Sequence, residues 1–457
     1  MHSRVLPTGG FAGHPARDRS DGALWRALVS LADFPVSFRS AIDGAAFWLA
    51  GGFLLFYVIT PDIALAEVYV KYLVAGSVIL CCGLLVLARQ VVCLSPAFLL
   101  GPFLLFVAGT MSFGYAAVRG GTNTFSSALV PLIVVAAPLF VPYGNSRTDS
   151  RRVARYMLLV FGAGAWFHVL WQVIGYQFGM KELVDADPAA AFGPQYFAAS
   201  GVILYFMILA GFYRRAGLLA LALGLDAVSL VLRPSSTLVF ASLFTIGAIA
   251  LCRLGLRRIF RAAATALLVL TLFGNLAILG SDTVARTVYS IEPYVKSDIL
   301  QSKSNNEFRL AVIAAARAEM SRTSIWAGRG FIGDMDVSVV RYLKWFDKAE
   351  APIHSDFLTL TVEGGLIGFA LIATLFLGLA KLCWRGARLA HAAGDGGGEI
   401  LFDACLAIDV VFAVYISFNP IMQMLQCVMP FLVSVPLAVF LAREFANVPA
   451  PARPAPP

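Results

Sequence analysis

The 457-residue chain predicts an all-α, polytopic membrane bundle of about twelve transmembrane helices, with one large, partly helical loop between spans nine and ten. Three observations predict it. Hydrophobic residues make up 59% of the chain and charged residues only 14%, whereas a water-soluble domain carries about 25% charged residues to coat its surface. The apolar residues gather in runs long enough to cross about 30 Å of hydrocarbon as helices. These runs are continuous rather than alternating, which argues against an outer-membrane barrel. The same composition excludes a soluble enzyme, a disordered chain and a disulfide scaffold.

Residues 1–40 are polar and contain arginine, glycine and proline, without the early apolar core of a signal peptide. They read as a cytoplasmic tail ending in a short interfacial helix at 23–34. Spans one to nine, within 41–280, are expected at 43–60, 69–88, 96–114, 125–143, 154–175, 195–213, 216–232, 235–252 and 261–280. The seventh and eighth meet at Pro234 as a broken hairpin. A polar loop occupies 281–355. Spans ten to twelve follow within 356–443, at 358–380, 400–418 and 422–442, and 444–457 is a Pro-rich tail.

Charge sets the orientation. With the N-terminus inside, the cytoplasmic segments hold 21 Lys and Arg, and the short outer loops hold 4 (Lys71, Arg119, Lys181 and Arg233). Basic residues stay on the cytoplasmic side, so both termini are expected there and the loop 281–355 outside. That loop carries 10 more, which does not contradict the rule because long loops translocate whatever their charge. The net charge of +8 is scattered between apolar runs and reports topology, not nucleic-acid binding. The seven cysteines lie in apolar runs or beside basic loops, with no C-x-x-C pair, so neither a disulfide framework nor a metal site is expected. Matched halves of the transporter kind are not visible.

The outer loop holds the informative residues. Ser304 and Glu307 have capping-box spacing, predicting a helix over 305–321. Phe308, Val312, Ala316 and Met320 recur every fourth residue on it and are expected to rest against the membrane face. A glycine-punctuated turn follows, Trp326-Ala327-Gly328-Arg329-Gly330-Phe331-Ile332-Gly333. Then Pro352-Ile353-His354-Ser355-Asp356-Phe357 leads into span ten, which contains Glu363-Gly364-Gly365-Leu366-Ile367-Gly368.

This order resembles the C-terminal half of the O-antigen ligase and O-antigen polymerase family of bacterial membrane glycosyltransferases. The family opens its loop helix with an Arg, matched by Arg309. Its Gly-x-Gly turn is matched by Gly328 and Gly330. Its H-N-x-x-L segment is matched by His354 and Leu358, and its E-x-G-hydrophobic-hydrophobic-G segment by Glu363, Gly365 and Gly368. Phe192–Ala198 loosely resembles the start of a middle span. Three positions depart: Ser355 replaces the Asn after the His, Ile313 stands where the family has Trp, and Ser236 replaces the Arg of an S-R-[ST] motif aligned on Ser235–Thr237. Arg233 is the nearby candidate to supply that missing charge.

The resemblance implies transfer of a glycan from a polyprenyl-pyrophosphate carrier to a sugar hydroxyl at the outer face of the bacterial inner membrane, with inversion and without metal or cofactor. Arg309, Arg233 and Arg329 are then expected to bind pyrophosphate, since guanidinium groups stay charged and pair with phosphate oxygens. His354 is the expected general base, with Glu363 beside it in the catalytic set. His354 is the one histidine in an outward segment; His2 and His14 lie in the tail, His168 in a span and His391 in a cytoplasmic loop. Structural alternatives stand beside these roles: His354 anchoring span ten, Arg309 on a solvated helix face, Arg233 snorkelling at a span end, Glu363 tying down the loop. The expected partners are the lipid-linked donor, a glycan or lipid A–core acceptor, and the bilayer, with no nucleic acid. A polysaccharide polymerase is preferred to a ligase because Ser236 and Ser355 depart from ligase-like sequences. A secondary transporter or lipid-linked glycan flippase is the other reading, resting on Asp226, Asp409 and the break at Pro234. Asp334-Met335-Asp336 is read as a chance D-x-D. Gly394–Gly398 is read as a flexible cytoplasmic loop, since no Lys-Ser/Thr follows as a P-loop requires.

Overall fold

In the computed structural model the described residues are 188–232, 236–291, 299–329 and 355–419, the short pieces 335–336 and 350–351, and scattered positions in 162–169 and 430–445. They are almost entirely helical: α1 (Pro188–Phe212), α2 (Ala216–Leu232), α3 (Ser236–Arg253), α4 (Arg257–Gly280), α5 (Asp282–Ile291), α6 (Ile299–Arg322), α7 (Asp356–Ala392) and α8 (Gly396–Phe418). Two two-residue strands, β1 (Met335–Asp336) and β2 (Glu350–Ala351), pair antiparallel, Met335 opposite Ala351. The first four expected spans, most of the fifth and of the twelfth, the N-terminal tail and nearly all of the C-terminal tail lie outside the described residues.

Among the described residues three helices, α3, α4 and α8, are long and apolar enough to cross a membrane, or four if the bent α7 counts as one span. They follow the apolar runs read from the sequence within a few residues, except that α7 continues to Ala392, twelve residues past its run. The extra turns stay in register with the bundle by burying Cys383, Ala387 and Ala390. Helix α8 is apolar around its whole circumference and is buried along nearly all its length, as such a helix must be. It packs against α7, α4, α3 and α1. The outer faces of α3 and α4 instead expose Phe240, Leu243, Leu270 and Phe273, an apolar surface suited to lipid.

The turns after α1, α3 and α7 lie at the end of the bundle away from 281–355, and all three are built alike. Leu256 N–H donates to Leu251 and Gly255 N–H to Cys252; Asp395 donates to Ala390 and Gly394 to His391; Arg215 donates to Ala210 and Arg214 to Gly211. This double bond pattern needs one left-handed residue. Gly255 (φ 80°) and Gly394 (φ 69°) provide it without steric cost, while Arg214 (φ 56°) adopts it despite its β-carbon. The expected flexible loop at 394–398 is therefore corrected. It is a tight turn in which Asp395 caps α8 by accepting from Gly398 N–H at 3.0 Å.

Beneath these turns, α4 and α8 are joined by a buried ion-pair network. Arg261 Nε donates to Asp403 at 2.6 Å and its Nη2 to Glu399, while Arg257 lies 3.2 Å from Glu399 and 3.7 Å from Asp403. At the loop end, Ser355 caps α7, accepting from Leu358 N–H at 3.2 Å and donating to Ile416 O at 3.4 Å. Ser355→Ala is expected to cost about 1 kcal/mol. It should lower the thermal midpoint in detergent slightly, and an unchanged or raised midpoint would contradict the cap.

Two expectations for the loop helix are corrected. α6 begins at Ile299, so Ser304 lies inside the helix and not at its cap. The run Ile299–Lys303 holds no Gly or Pro to stop the helix, and it extends through the capping-box spacing. The buried positions of α6 also do not face the membrane. Val312, Ile313 and Ala316 pack on Ile278 and Leu279 of α4, Ala285 and Tyr289 of α5, and Leu358 and Val362 of α7.

Candidate functional site

Helix α6 seats on the loop ends of α4 and α7, and one arginine fixes it there. Arg317 Nε donates to Leu279 O at 2.7 Å and Nη2 to Ile278 O at 2.8 Å. A cation at the carbonyl end of a helix is favoured by the helix dipole and satisfies carbonyls left over by the last turn. The same guanidinium reaches Asp282 at 3.2 Å, and Arg286 reaches it at 2.6 Å. These two hydrogen bonds hold the exposed Asp282 carboxyl below its ordinary range. Neither Arg317 nor α5 is evident from motif spacing. The signal for α5 was Ser281-Asp282 before the amphipathic set Val284, Ala285, Val288 and Tyr289.

The end of α6 runs into the glycine turn, and the turn docks on a break in α7. Gly364 and Gly365 weaken that helix, and Gly365 leaves helical geometry altogether (φ 63°, ψ −162°). The break frees backbone groups that an intact helix would pair with each other. The turn takes them up: Leu366 N–H donates to Ile325 O at 2.9 Å, Ile367 N–H to Trp326 O at 3.1 Å, and Arg329 N–H to Val362 O at 3.1 Å. The turn itself closes through Gly328 N–H to Ser324 O at 2.7 Å. Gly328 has φ 68°, and a β-carbon there would overlap the carbonyls of Val362 and Glu363. One at Gly365 would overlap Trp326 O and Gly328 N. The Gly-x-Gly turn and the E-G-G segment are thus two halves of one clasp.

Side chains reinforce it. Arg329 is 6% exposed and sits between two carboxylates: Glu319 of α6, at 3.2 and 3.4 Å from Nη1, and Glu363, at 3.8 Å from Nη2. Glu363 is buried, while Glu319 is one-third exposed. Of the expected site residues, then, Arg329 and Glu363 come together. A phosphate reaching Arg329 would compete with Glu319, a partner the motifs do not mark. Arg309 stands apart, ten residues before Glu319 on α6, about 15 Å of helix rise; its guanidinium carbon lies 5.8 Å above the Tyr289 ring. His354 and Arg233 lie outside the described residues.

The segments around those two positions nonetheless approach each other. Asn419, at the end of α8, donates to Thr237 at the start of α3 (3.1 Å), and its carbonyl accepts from Asp356 N–H at the start of α7 (3.5 Å). Asn275 of α4 donates to Ser417 at 2.6 Å. The S-S-T and H-S-x-x-L segments are therefore linked at one end of the bundle by an asparagine that no motif singled out. Among the described residues, no group of His, Cys, Asp and Glu is arranged to hold a metal ion. Neither a protein-family model nor a curated protein matches the chain.

Proposed function

We propose that this chain is a membrane glycosyltransferase that moves a polyprenyl-pyrophosphate-linked oligosaccharide to a sugar hydroxyl. On this reading it is a twelve-span protein of the bacterial inner membrane, with cytoplasmic termini and 281–355 in the periplasm. The observation that supports it is the clasp. Two of the segments that carry the family resemblance hold each other through backbone bonds beside Gly328 and Gly365, where a β-carbon would overlap the opposite segment.

In the reaction, the acceptor oxygen attacks the anomeric carbon as the bond to the pyrophosphate breaks. The electron pair leaves with the polyprenyl pyrophosphate, and the acceptor proton passes to His354. Arg309 and Arg233 bind the leaving phosphates, whose growing charge is stabilised most by donors already in position. Arg329 and Glu363 keep the glycine turn against α7, so that the loop presents its groups in line. A polymerase acting on a second lipid-linked glycan is preferred, and a ligase acting on lipid A–core is the alternative. The transporter or flippase reading draws on Asp226 and Asp409, both buried, with the Asp409 oxygens and one Asp226 oxygen lacking a hydrogen-bond partner among the described residues.

Reconstitution in liposomes with a polyprenyl-pyrophosphate oligosaccharide as sole glycan tests the reading. A ladder of longer chains indicates a polymerase. Transfer only after lipid A–core is added indicates a ligase. No product under either condition, with lipid-linked oligosaccharide extracted from the source membranes as donor, rejects the enzyme and favours the transporter. His354→Ala is expected to lower turnover by at least about 100-fold with insertion unchanged.

A further inference from the structure

At the end of the bundle away from 281–355, the flank of α4 and α7 carries charge that the proposed chemistry does not use. The carboxylates of Glu399 and Asp403 are turned inward onto Arg257 and Arg261. Outside them, Arg258 of α4 and Lys381, Arg385 and Arg388 of α7 are exposed, and none meets a carboxylate among the described residues.

Contacts at two levels hold α4 and α7 side by side here. Trp384 Nε1 donates to Thr265 of α4 at 2.8 Å. Nearer the turns, His391 of α7 and Arg257 of α4 approach the same Glu399 oxygen, at 3.4 and 3.2 Å. Arg388 lies between these levels, four residues past Trp384 and on its face of the helix. Lys381, three residues before Trp384, shares that face. On α4, Arg258 begins a stripe that continues as Ala262, Ala266, Val269 and Phe273, at steps of three or four residues, and every member is exposed. Phe273 keeps this stripe beside α7, its ring 5.9 Å from that of Phe369.

A cationic end, an apolar run and a half-buried indole at their boundary match the two parts of a phospholipid. Tryptophan is favoured at the headgroup level, and basic pockets between spanning helices take anionic head groups. A soluble anion would leave the apolar stripe unused. We propose that the groove between α4 and α7 binds an anionic phospholipid from the leaflet at this end of the bundle. Arg258 and Arg388 hold its phosphate, Lys381 reaches the same level by extending its stem, and an acyl chain lies along α4. The site requires the helices to cross the membrane and is independent of glycosyl transfer.

The probe is phosphatidylglycerol, with phosphatidylcholine as its zwitterionic counterpart. Native mass spectrometry of the full chain in detergent is expected to show at least one phosphatidylglycerol retained under conditions that strip phosphatidylcholine. Arg258→Gln/Arg388→Gln should lower that retention at least about tenfold. Arg214→Gln/Arg215→Gln removes the same charge from the exposed turn after α1, at the same end, and should stay within about twofold of wild type. Equal losses in the two variants would mean diffuse surface charge and overturn the site, as would no loss in the first or equal retention of the two lipids. Displacement of the lipid by inorganic phosphate at constant ionic strength would overturn it in favour of a soluble anion. Trp384 emission, taken as wild type minus Trp384→Phe in nanodiscs, gives a readout that needs no arginine variant. Brominated phosphatidylglycerol should quench it more than brominated phosphatidylcholine at equal content, and equal quenching overturns the site.

Discussion

Gly365→Ala is expected to abolish transfer in the reconstituted assay while the protein still inserts. The backbone at Gly365 (φ 63°, ψ −162°) belongs to a region essentially reserved for glycine, costing about 1–3 kcal/mol for other residues. Its β-carbon would also overlap Trp326 O, one of the carbonyls that accept from the broken helix. Relief requires the turn to leave α7, which forfeits three hydrogen bonds of about 0.5–1.5 kcal/mol each and releases Arg329 from Glu363. The helices themselves do not depend on this contact, so expression and thermal stability should fall far less than activity. Gly364→Ala is the matched control: nothing lies within 4 Å of the added carbon, and the substitution should be neutral or mildly stabilising. Limited proteolysis reads the same event directly, with new cleavage between 323 and 330 in Gly365→Ala alone. Wild-type transfer and an unchanged digest in that variant would show that the clasp does not matter to function.

Arg261→Met is expected to produce the largest loss of stability. Its removal leaves Glu399 and Asp403 at the start of α8 with Arg257, at 3.2 and 3.7 Å, and the His391 ring, 3.4 Å from Glu399, as their remaining partners. Removing one partner of a buried pair costs about 3–5 kcal/mol. A thermal midpoint in detergent lower by on the order of 10 °C follows. Arg261→Met/Asp403→Leu should recover part of that loss, since replacing both partners by apolar groups removes the stranded charge. The protein that does fold should retain transfer activity per molecule, because the network is far from the clasp: His391, 3.4 Å from Glu399, lies 26 residues beyond Gly365 on α7, on the order of 35 Å of helix rise. An unchanged midpoint would mean that water reaches the network and the charges are solvated.

The legibility of this chain divides along the range of the forces involved. The boundaries of α2, α3, α4 and α8 follow their apolar runs within a few residues, because a helix that needs about 20 apolar residues to cross lipid announces itself locally. The tight turn at Gly394 was read only as a flexible glycine loop, and nothing local marks Arg214 for the left-handed backbone that it shares with Gly255 and Gly394. The capping-box spacing at Ser304 misled because capping is a weak local preference of about 1 kcal/mol, and the run Ile299–Lys303 holds no Gly or Pro to stop the helix.

The candidate site divides in the same way. Arg309, Arg329, Glu363 and the glycines stood out by residue type and order. Glu319, Arg317, Asn275 and Asn419 did not, because each is an ordinary polar residue whose partner is distant in sequence. Arg329 and Glu363 read as separate pyrophosphate and catalytic candidates; the fold sets them 3.8 Å apart with Glu319 alongside. Composition and hydrophobic runs were enough to determine a helical, membrane-suited chain with a polar segment between two apolar blocks, since solvent partitioning acts on each stretch independently. Which carboxylate meets Arg329, why α7 breaks at Gly365 and how α8 is locked to α4 were decided only by tertiary structure, because hydrogen bonds and ion pairs act over about 3 Å and exist only once packing brings both partners within that distance.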